Sequence, residues 1–209
     1  MTRARASRTV ENDLRRQGFV HVAGVDEVGR GCLAGPVVAA AVILQPDHYV
    51  QGVADSKLLA AEDRERLFPE ITAAAIAWAA AIVPADEIDR INIHQASLLA
   101  MRQAIASLVP LPGFVLVDGF RIPGLVMPQR PIIGGDRRST AIAAASILAK
   151  VTRDRLMVEL HAADPRYGFD RHKGYATKEH LDAVGRHGYS PAHRRSFRPP
   201  SLFDTMPPS

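Results

Sequence analysis

One cysteine, Cys32, occurs in 209 residues, which excludes an internal disulfide and fits a reducing compartment, so a cytoplasmic location is expected. No apolar run approaches the ~20 residues needed to span a bilayer, and no membrane association is expected. The longest run, residues 73–83, is mostly alanine around Trp78 and reads as a buried helix or strand. The N-terminus has Arg3, Arg5 and Arg8 with no acid before Glu11, and it lacks the apolar core of a secretion signal. None of the eight histidines stands at metal-ligand spacing with an acid or cysteine, which argues against a zinc site. Cys32 has no evident histidine partner for nucleophilic work. There is no internal repeat and no second domain boundary.

What remains is an ordinary globular composition, 47% hydrophobic and 23% charged, long enough for one domain with a substantial core. The charge is uneven. Residues 161–198 carry eight Lys or Arg against four acids, with five histidines. A basic C-terminal quarter suggests a polyanion held by its phosphates, although charge alone leaves a solvated surface equally open. The expected division is a basic, frayed arm at 1–18, a catalytic domain at 19–198 and a proline-rich, disordered tail at 199–209.

Residues 22–38, VAGVDEVGRGCLAGPVV, are the most informative stretch. Apolar residues lead into adjacent carboxylates, Asp26 and Glu27, and a Gly29-Arg30-Gly31 turn precedes a second apolar run. Acids at the end of a buried strand are costly unless positive charge meets them. Two acids beside a glycine-flanked arginine suit a place where divalent ions meet a phosphate backbone. The glycines let backbone approach a ligand closely, with N–H groups free to donate.

Periodicity and caps order the rest. Residues 20–25 and 36–44 read as a hairpin. Residues 60–75 are amphipathic, with Pro69 predicting a break or a first-turn position. Residues 76–83 suit a third strand, and Pro84 opens a short helix with Asp86 and Glu87 in its first turn. Asn92 is placed to cap a helix to Leu108. Short strands at 114–117 and 131–133 then deliver Asp118 and Gly134-Gly135-Asp136. Ser139 or Thr140 starts a long helix, and another runs from Thr177 to about His187. Taken alone, Asp118 is explained by an Asp-Gly turn and Asp136 by a helix N-terminus. Asp154 lies several turns into the long helix and reads as a salt-bridged residue.

The 22–38 stretch resembles the first motif of the ribonuclease HII family. Asp55-Ser56-Lys57, Val117-Asp118-Gly119, Gly134-Gly135-Asp136, residues 143–154 (AAASILAKVTRD) and residues 172–177 (HKGYAT) are similar to that family's blocks, in order. The resemblance covers roughly residues 19–197. Cys32 departs from it, standing where the family usually has proline, which implies a looser turn without loss of a ligand.

This resemblance implies an α/β, ribonuclease H-like mixed five-stranded sheet flanked by helices, with a C-terminal helical extension. It also implies an endoribonuclease acting on RNA–DNA hybrids and on single ribonucleotides in duplex DNA, leaving 5′-phosphate and 3′-hydroxyl ends. Asp26, Glu27, Asp118 and Asp136 become the catalytic acids and ligands of Mn2+ or Mg2+, since oxygen-only donors favour hard ions. Two ions can activate water and stabilise the leaving oxygen in a phosphodiester displacement. Gly29, Arg30 and Gly31 would meet the scissile ribonucleotide, partly at the 2′-hydroxyl that separates RNA from DNA. Tyr175 would stack at the junction. Ser146 and Lys150 are four apart on the long helix and can face one phosphate track, and Lys57 and Lys173 are further candidate phosphate contacts. A metal-dependent DNA nuclease or strand-transfer enzyme needs no 2′-hydroxyl reader. A non-catalytic hybrid-binding module would be expected to lack an acid. A monomer is expected, and Ser201-Leu202-Phe203-Asp204 is a weak docking segment for a sliding clamp, with Pro199 where such motifs usually open on glutamine.

Overall fold

A computed structural model describes residues 6–53 and 56–197. Asp55, the proline-rich tail and its Leu202-Phe203 pair lie outside the described residues.

The segment expected as a frayed arm carries a docked helix instead, α1 (Thr9–Arg16). Leu14 is buried against Val22 and Leu116, and full burial of a leucine is worth roughly 1.5–3 kcal/mol, enough to hold a short helix in place. Glu11, also on α1, is buried and accepts from Ser139 Oγ and Ala141 N, both at 2.8 Å.

Strands β1 (Val22–Val28) and β2 (Val37–Leu44) pair antiparallel from Ala23↔Ile43 to Val28↔Val38, as the apolar runs predict. All eight residues of β2 are buried, so it is an interior strand with helices on both faces. Helix α2 (Ala61–Ala73) runs straight through Pro69 rather than breaking there. Pro69 lies on the exposed side, where the carbonyl that its missing N–H leaves open can face solvent. Strand β3 (Ala75–Val83) pairs antiparallel with β2 at the sheet edge. Helices α3 (Ala85–Ile91) and α4 (Ile93–Ala106) follow, the second capped by Asn92 Oδ1 accepting from Gln95 N at 3.1 Å.

Strands β4 (Phe114–Asp118) and β5 (Gln129–Ile132) complete the order β3-β2-β1-β4-β5, with β4 parallel to β1 and β5 parallel to β4. Helix α5 (Thr140–Ala163), capped by Ser139, is 24 residues long, about 36 Å at the usual rise. The C-terminal extension is a four-residue turn of helix, α6 (Phe169–His172), and α7 (Lys178–His187). Among the described residues no helix is long and apolar enough to cross a membrane.

Strand alternation sorts two cores. Ala23, Val25, Val115 and Val117 pack with Met101 and Ile105 of α4 on one face. Ala40 and Val42 pack with Leu67 and Ile71 of α2 and Ile147 and Leu148 of α5 on the other. Gly24 fixes the α5 crossing. A Cβ there would stand 2.2 Å from the carbonyl carbon of Ala141, so only glycine lets α5 lie this close to β1. That closeness brings Ser146 of α5 to the end of β1.

Candidate active site

Parallel pairing of β1 and β4 in the register Val25↔Val117 sets Asp26 and Asp118 side by side at the carboxyl ends of neighbouring strands. Both follow the alternation of Gly24 and Leu116, on the α5 face. Asp26 is buried, and Glu27 N donates to its Oδ1 at 2.7 Å. Burial above all, then the charges of Glu27 and Asp118, hold the Asp26 carboxyl well above the usual carboxylate range, while hydrogen bonds from Ser146 and Glu27 N oppose the shift. Burial likewise raises Glu27, and Arg30 counters it through an ion pair at 3.1 Å. Asp118 Oδ1 accepts from Gly135 N at 2.7 Å, which ties the turn after β5 to the acid pair. Asp136 follows in that turn and is buried.

Ser146 is not on an outer phosphate-facing track. It is buried beneath Asp26, with its hydroxyl 2.7 Å from that of Ser56. An ionised Asp26 needs Ser146 to donate, which leaves Ser56 to donate to Ser146, since each hydroxyl carries one proton. Lys150 Nζ meets Asp154 at 2.6 Å, and Arg64 lies 3.9 Å from the same carboxylate, so Asp154 belongs to a salt-bridge network. Lys173 turns its ammonium onto the Asp170 carbonyl at 2.6 Å, and Lys57 is exposed. Gly31 and Tyr175 are exposed, and their loops are joined by Leu33 N and Ala34 N, which donate to the Gly174 carbonyl at 2.8 and 3.2 Å.

Two arginines that sequence reasoning left without a role hold those loops. Arg153 and Arg194 are fully buried. Arg153 donates to the carbonyls of Pro36, Lys173 and Ala34 at 2.9, 2.9 and 3.1 Å. Arg194 donates to Gly35, Arg30 and Gly29 at 2.9, 3.0 and 2.6 Å. Gly29, at φ +93°, lies under Arg153, whose Nε would be 2.2 Å from any Cβ there. Cys32 is buried, and its side chain hydrogen-bonds Tyr175, whose phenol is raised chiefly by burial. The Cys32 position therefore touches the tyrosine instead of merely loosening the turn.

Three further buried groups, His172, His180 and His193, form a chain beneath Tyr175. His193 Nδ1 accepts from Ser190 N at 3.0 Å, so its proton is on Nε2, 3.0 Å from His180 Nε2. His180 Nδ1 then donates to the Tyr175 carbonyl at 2.8 Å. The tautomers follow from the fixed N–H and C=O partners. His172 and His180 stack with ring centroids 4.4 Å apart.

Among the described residues no three His, Cys, Asp or Glu side chains converge as a ready-made metal cage. An oxygen-only rim with a charge-destabilised Asp26 still fits Mg2+-like ions, which are held by one or two carboxylates plus substrate phosphates rather than by all-protein cages.

A mixed sheet in this order, flanked by helices and with acids at the carboxyl ends of its central strands, has the architecture of the ribonuclease H-like nucleases. The ribonuclease H2 of Pyrococcus horikoshii OT3, solved as a crystal structure, superposes with a TM-score of 0.72 at 26% identity, covering 85% of this chain and 94% of that one. The family model for ribonuclease HII matches residues 23–199. Curated ribonuclease HII proteins are similar throughout. One, from Nocardia farcinica, is 54% identical over 95% of this chain and 80% of its own length. Another, from Halalkalibacterium halodurans, is 53% identical over 90% and 72%. The chain belongs to the ribonuclease HII family, a group of nucleases that cleave RNA within RNA–DNA hybrids.

Proposed function

We propose that the protein is an endonuclease that cuts the RNA strand of hybrids and incises at single ribonucleotides in duplex DNA, leaving 5′-phosphate and 3′-hydroxyl ends. The observation that carries this reading is the joining of the acid pair to the Gly29-Arg30-Gly31 loop through the Glu27–Arg30 ion pair. Asp26, Glu27, Asp118 and Asp136 would hold Mn2+ or Mg2+. Bound there, such ions supply water activation and charge stabilisation at the leaving oxygen. The protein's part is to hold the acids together at the cost that Asp26 records, and to place the scissile phosphate by the neighbouring loop. Lys57, Lys150 and Lys173 would contact flanking phosphates.

A duplex carrying one embedded ribonucleotide is expected to be cut on the 5′ side of a phosphate at that position, with Mn2+ or Mg2+, while the matched all-DNA duplex stays intact. Denaturing electrophoresis of end-labelled strands reads both outcomes. Cutting of the all-DNA duplex would point to a DNA nuclease, and binding without cutting to a non-catalytic module.

Tyr175 is exposed, as a ring that stacks on substrate must be. Tyr175→Ala is expected to lower kcat/KM by about tenfold or more, since stacking is worth ~1–3 kcal/mol per base. Tyr175→Phe keeps the ring and loses only the bond to Cys32, so its loss should be smaller. Equal, large losses in steady-state kinetics would assign the role to the hydroxyl instead.

A further inference from the structure

Arg194 lies on the far side of the Gly29-Arg30-Gly31 loop from solvent, and its geometry has a directional effect. Its Nη2 and Nη1 take the carbonyls of Gly29 and Arg30, two successive peptide units, at 2.6 and 3.0 Å. Both units are trans, the cis bond among the described residues being Val109–Pro110. In a planar trans unit the C=O and the following N–H point to opposite sides. Drawing two consecutive carbonyls inward therefore turns the N–H groups of Arg30 and Gly31 outward together. Among the described residues neither N–H has an acceptor. Consecutive N–H groups aimed one way make a concavity for an oxygen ligand.

Gly31 adds an independent observation. It is exposed, its φ is not positive, and a Cβ built on it meets nothing within 4 Å. Neither backbone strain nor packing in this fold calls for glycine there, which leaves close approach by a ligand. Gly29 differs, being required by Arg153 beneath it.

We propose that Arg194 is a positioning residue for ribose recognition, aiming the N–H groups of Arg30 and Gly31 at the 2′-hydroxyl of the bound ribonucleotide. The proposal rests on reading this loop as the ribose-contacting element. Arg194 is suited to the task because a planar guanidinium can serve three carbonyls at fixed angles, which a lysine ammonium on a flexible stem cannot. Its third bond, to Gly35 at 2.9 Å, and its own N–H to Leu33 O at 2.9 Å register the loop against the start of β2. Burial lowers the guanidinium to about 10, which still leaves it charged at neutral pH.

The test compares binding of two duplexes, one with a single ribonucleotide and one all-DNA, by fluorescence anisotropy in EDTA so that nothing is cut. Wild type should favour the ribonucleotide duplex. In Arg194→Lys that preference should fall by about tenfold, the scale of one well-placed hydrogen bond, while affinity for the all-DNA duplex changes little. A merely structural role would weaken both duplexes together. Preference retained in Arg194→Lys overturns the proposal alone. A wild type without preference overturns the ribose reading of the loop, and the proposal with it. If Arg194→Lys loses its cooperative melt, Gly31→Pro carries the test by deleting one of the same donors with Arg194 in place. A full ribonucleotide preference in that variant overturns the proposal.

Discussion

Asp26→Asn is expected to abolish cleavage and, without divalent ions, to raise the melting temperature. Both effects come from the same charge. Asp26 is 6% exposed and lies between Glu27 and Asp118. Its carboxyl is raised by burial first and by those two acids second, so the folded state favours the protonated form. A folded-state pKa above the unfolded one means that ionisation of Asp26 opposes folding, and its contribution to stability is regained as pH falls through the folded value toward the unfolded one. Asparagine imitates the neutral form. It keeps one oxygen for Glu27 N, which donates at 2.7 Å, and Ser146, whose hydroxyl can accept as well as donate, can turn to meet the new amide N–H. Each kcal/mol relieved should raise Tm by roughly 2–4 °C in a domain of this size. Activity should fall at least about a thousandfold, the rate equivalent of losing roughly 4 kcal/mol of transition-state stabilisation. Single-turnover cleavage and thermal melts in EDTA check both halves. Retention of a tenth of the rate, or a lower melting temperature, would show that Asp26 is not the strained centre of the site. Mg2+ should raise the wild-type melting temperature and leave that of the variant unchanged, because a ligand stabilises only the state that binds it.

Asp26, Glu27 and Asp118 stand out in the sequence as acids toward strand ends and Asp136 as an acid in the turn after β5, and the ribonuclease HII resemblance grouped them. Helix starts were legible from local markers. Asn92, Ser139 and Thr177 each accept from the backbone N–H three residues on. Pro69 misled because its local rule predicts a break, whereas α2 tolerates it on a solvated side. The arm at 1–18 looked frayed by charge, but Leu14 and Glu11 find partners on β1 and at the start of α5, far along the chain. Arg153 and Arg194 were invisible because their partners are carbonyls, which every residue has. Arg194 reaches Gly29 across 165 positions, and no spacing rule encodes such a contact. Ser146 was misplaced by four-residue helical spacing with Lys150, which aligns residues without saying which of them faces the core. The Gly24–Ala141 crossing decides that.

The stability contributed by the histidine chain under Tyr175 should fall steeply as pH drops from about 6.5 toward 4. His180 and His193 are both lowered from 6.5 to about 4, chiefly by burial. Their lone pairs are already engaged. A proton added to His180 Nε2 would face the His193 Nε2–H 3.0 Å away, and one added to His193 Nδ1 would face Ser190 N–H. Folded pKa values below the unfolded ones mean that at these two rings the unfolded chain binds more protons in this window, so the stability they contribute is full above pH 6.5 and is lost on acidification. Each histidine contributes on the order of 3 kcal/mol across the window, and the pair less than twice that because they share one hydrogen bond. Glu179 near His180 and Asp164 near His193 moderate the effect by favouring the charged rings, while His172 works against them. In the Asp26→Asn background, which lacks the opposing carboxyl, chemical denaturation followed by circular dichroism at each pH gives the slope, expected to exceed one proton's worth, ~1.4 kcal/mol per pH unit. Added to that background, His193→Gln keeps a side-chain N–H to offer His180 and removes one titration, so the stability profile should be flatter over the same range. An Asp26→Asn profile that stays level between pH 6.5 and 4.5 would mean that these rings are more solvated than their packing indicates. Because His180 Nδ1 holds the Tyr175 carbonyl, the same protonation should loosen the loop that carries the stacking ring before the sheet itself gives way.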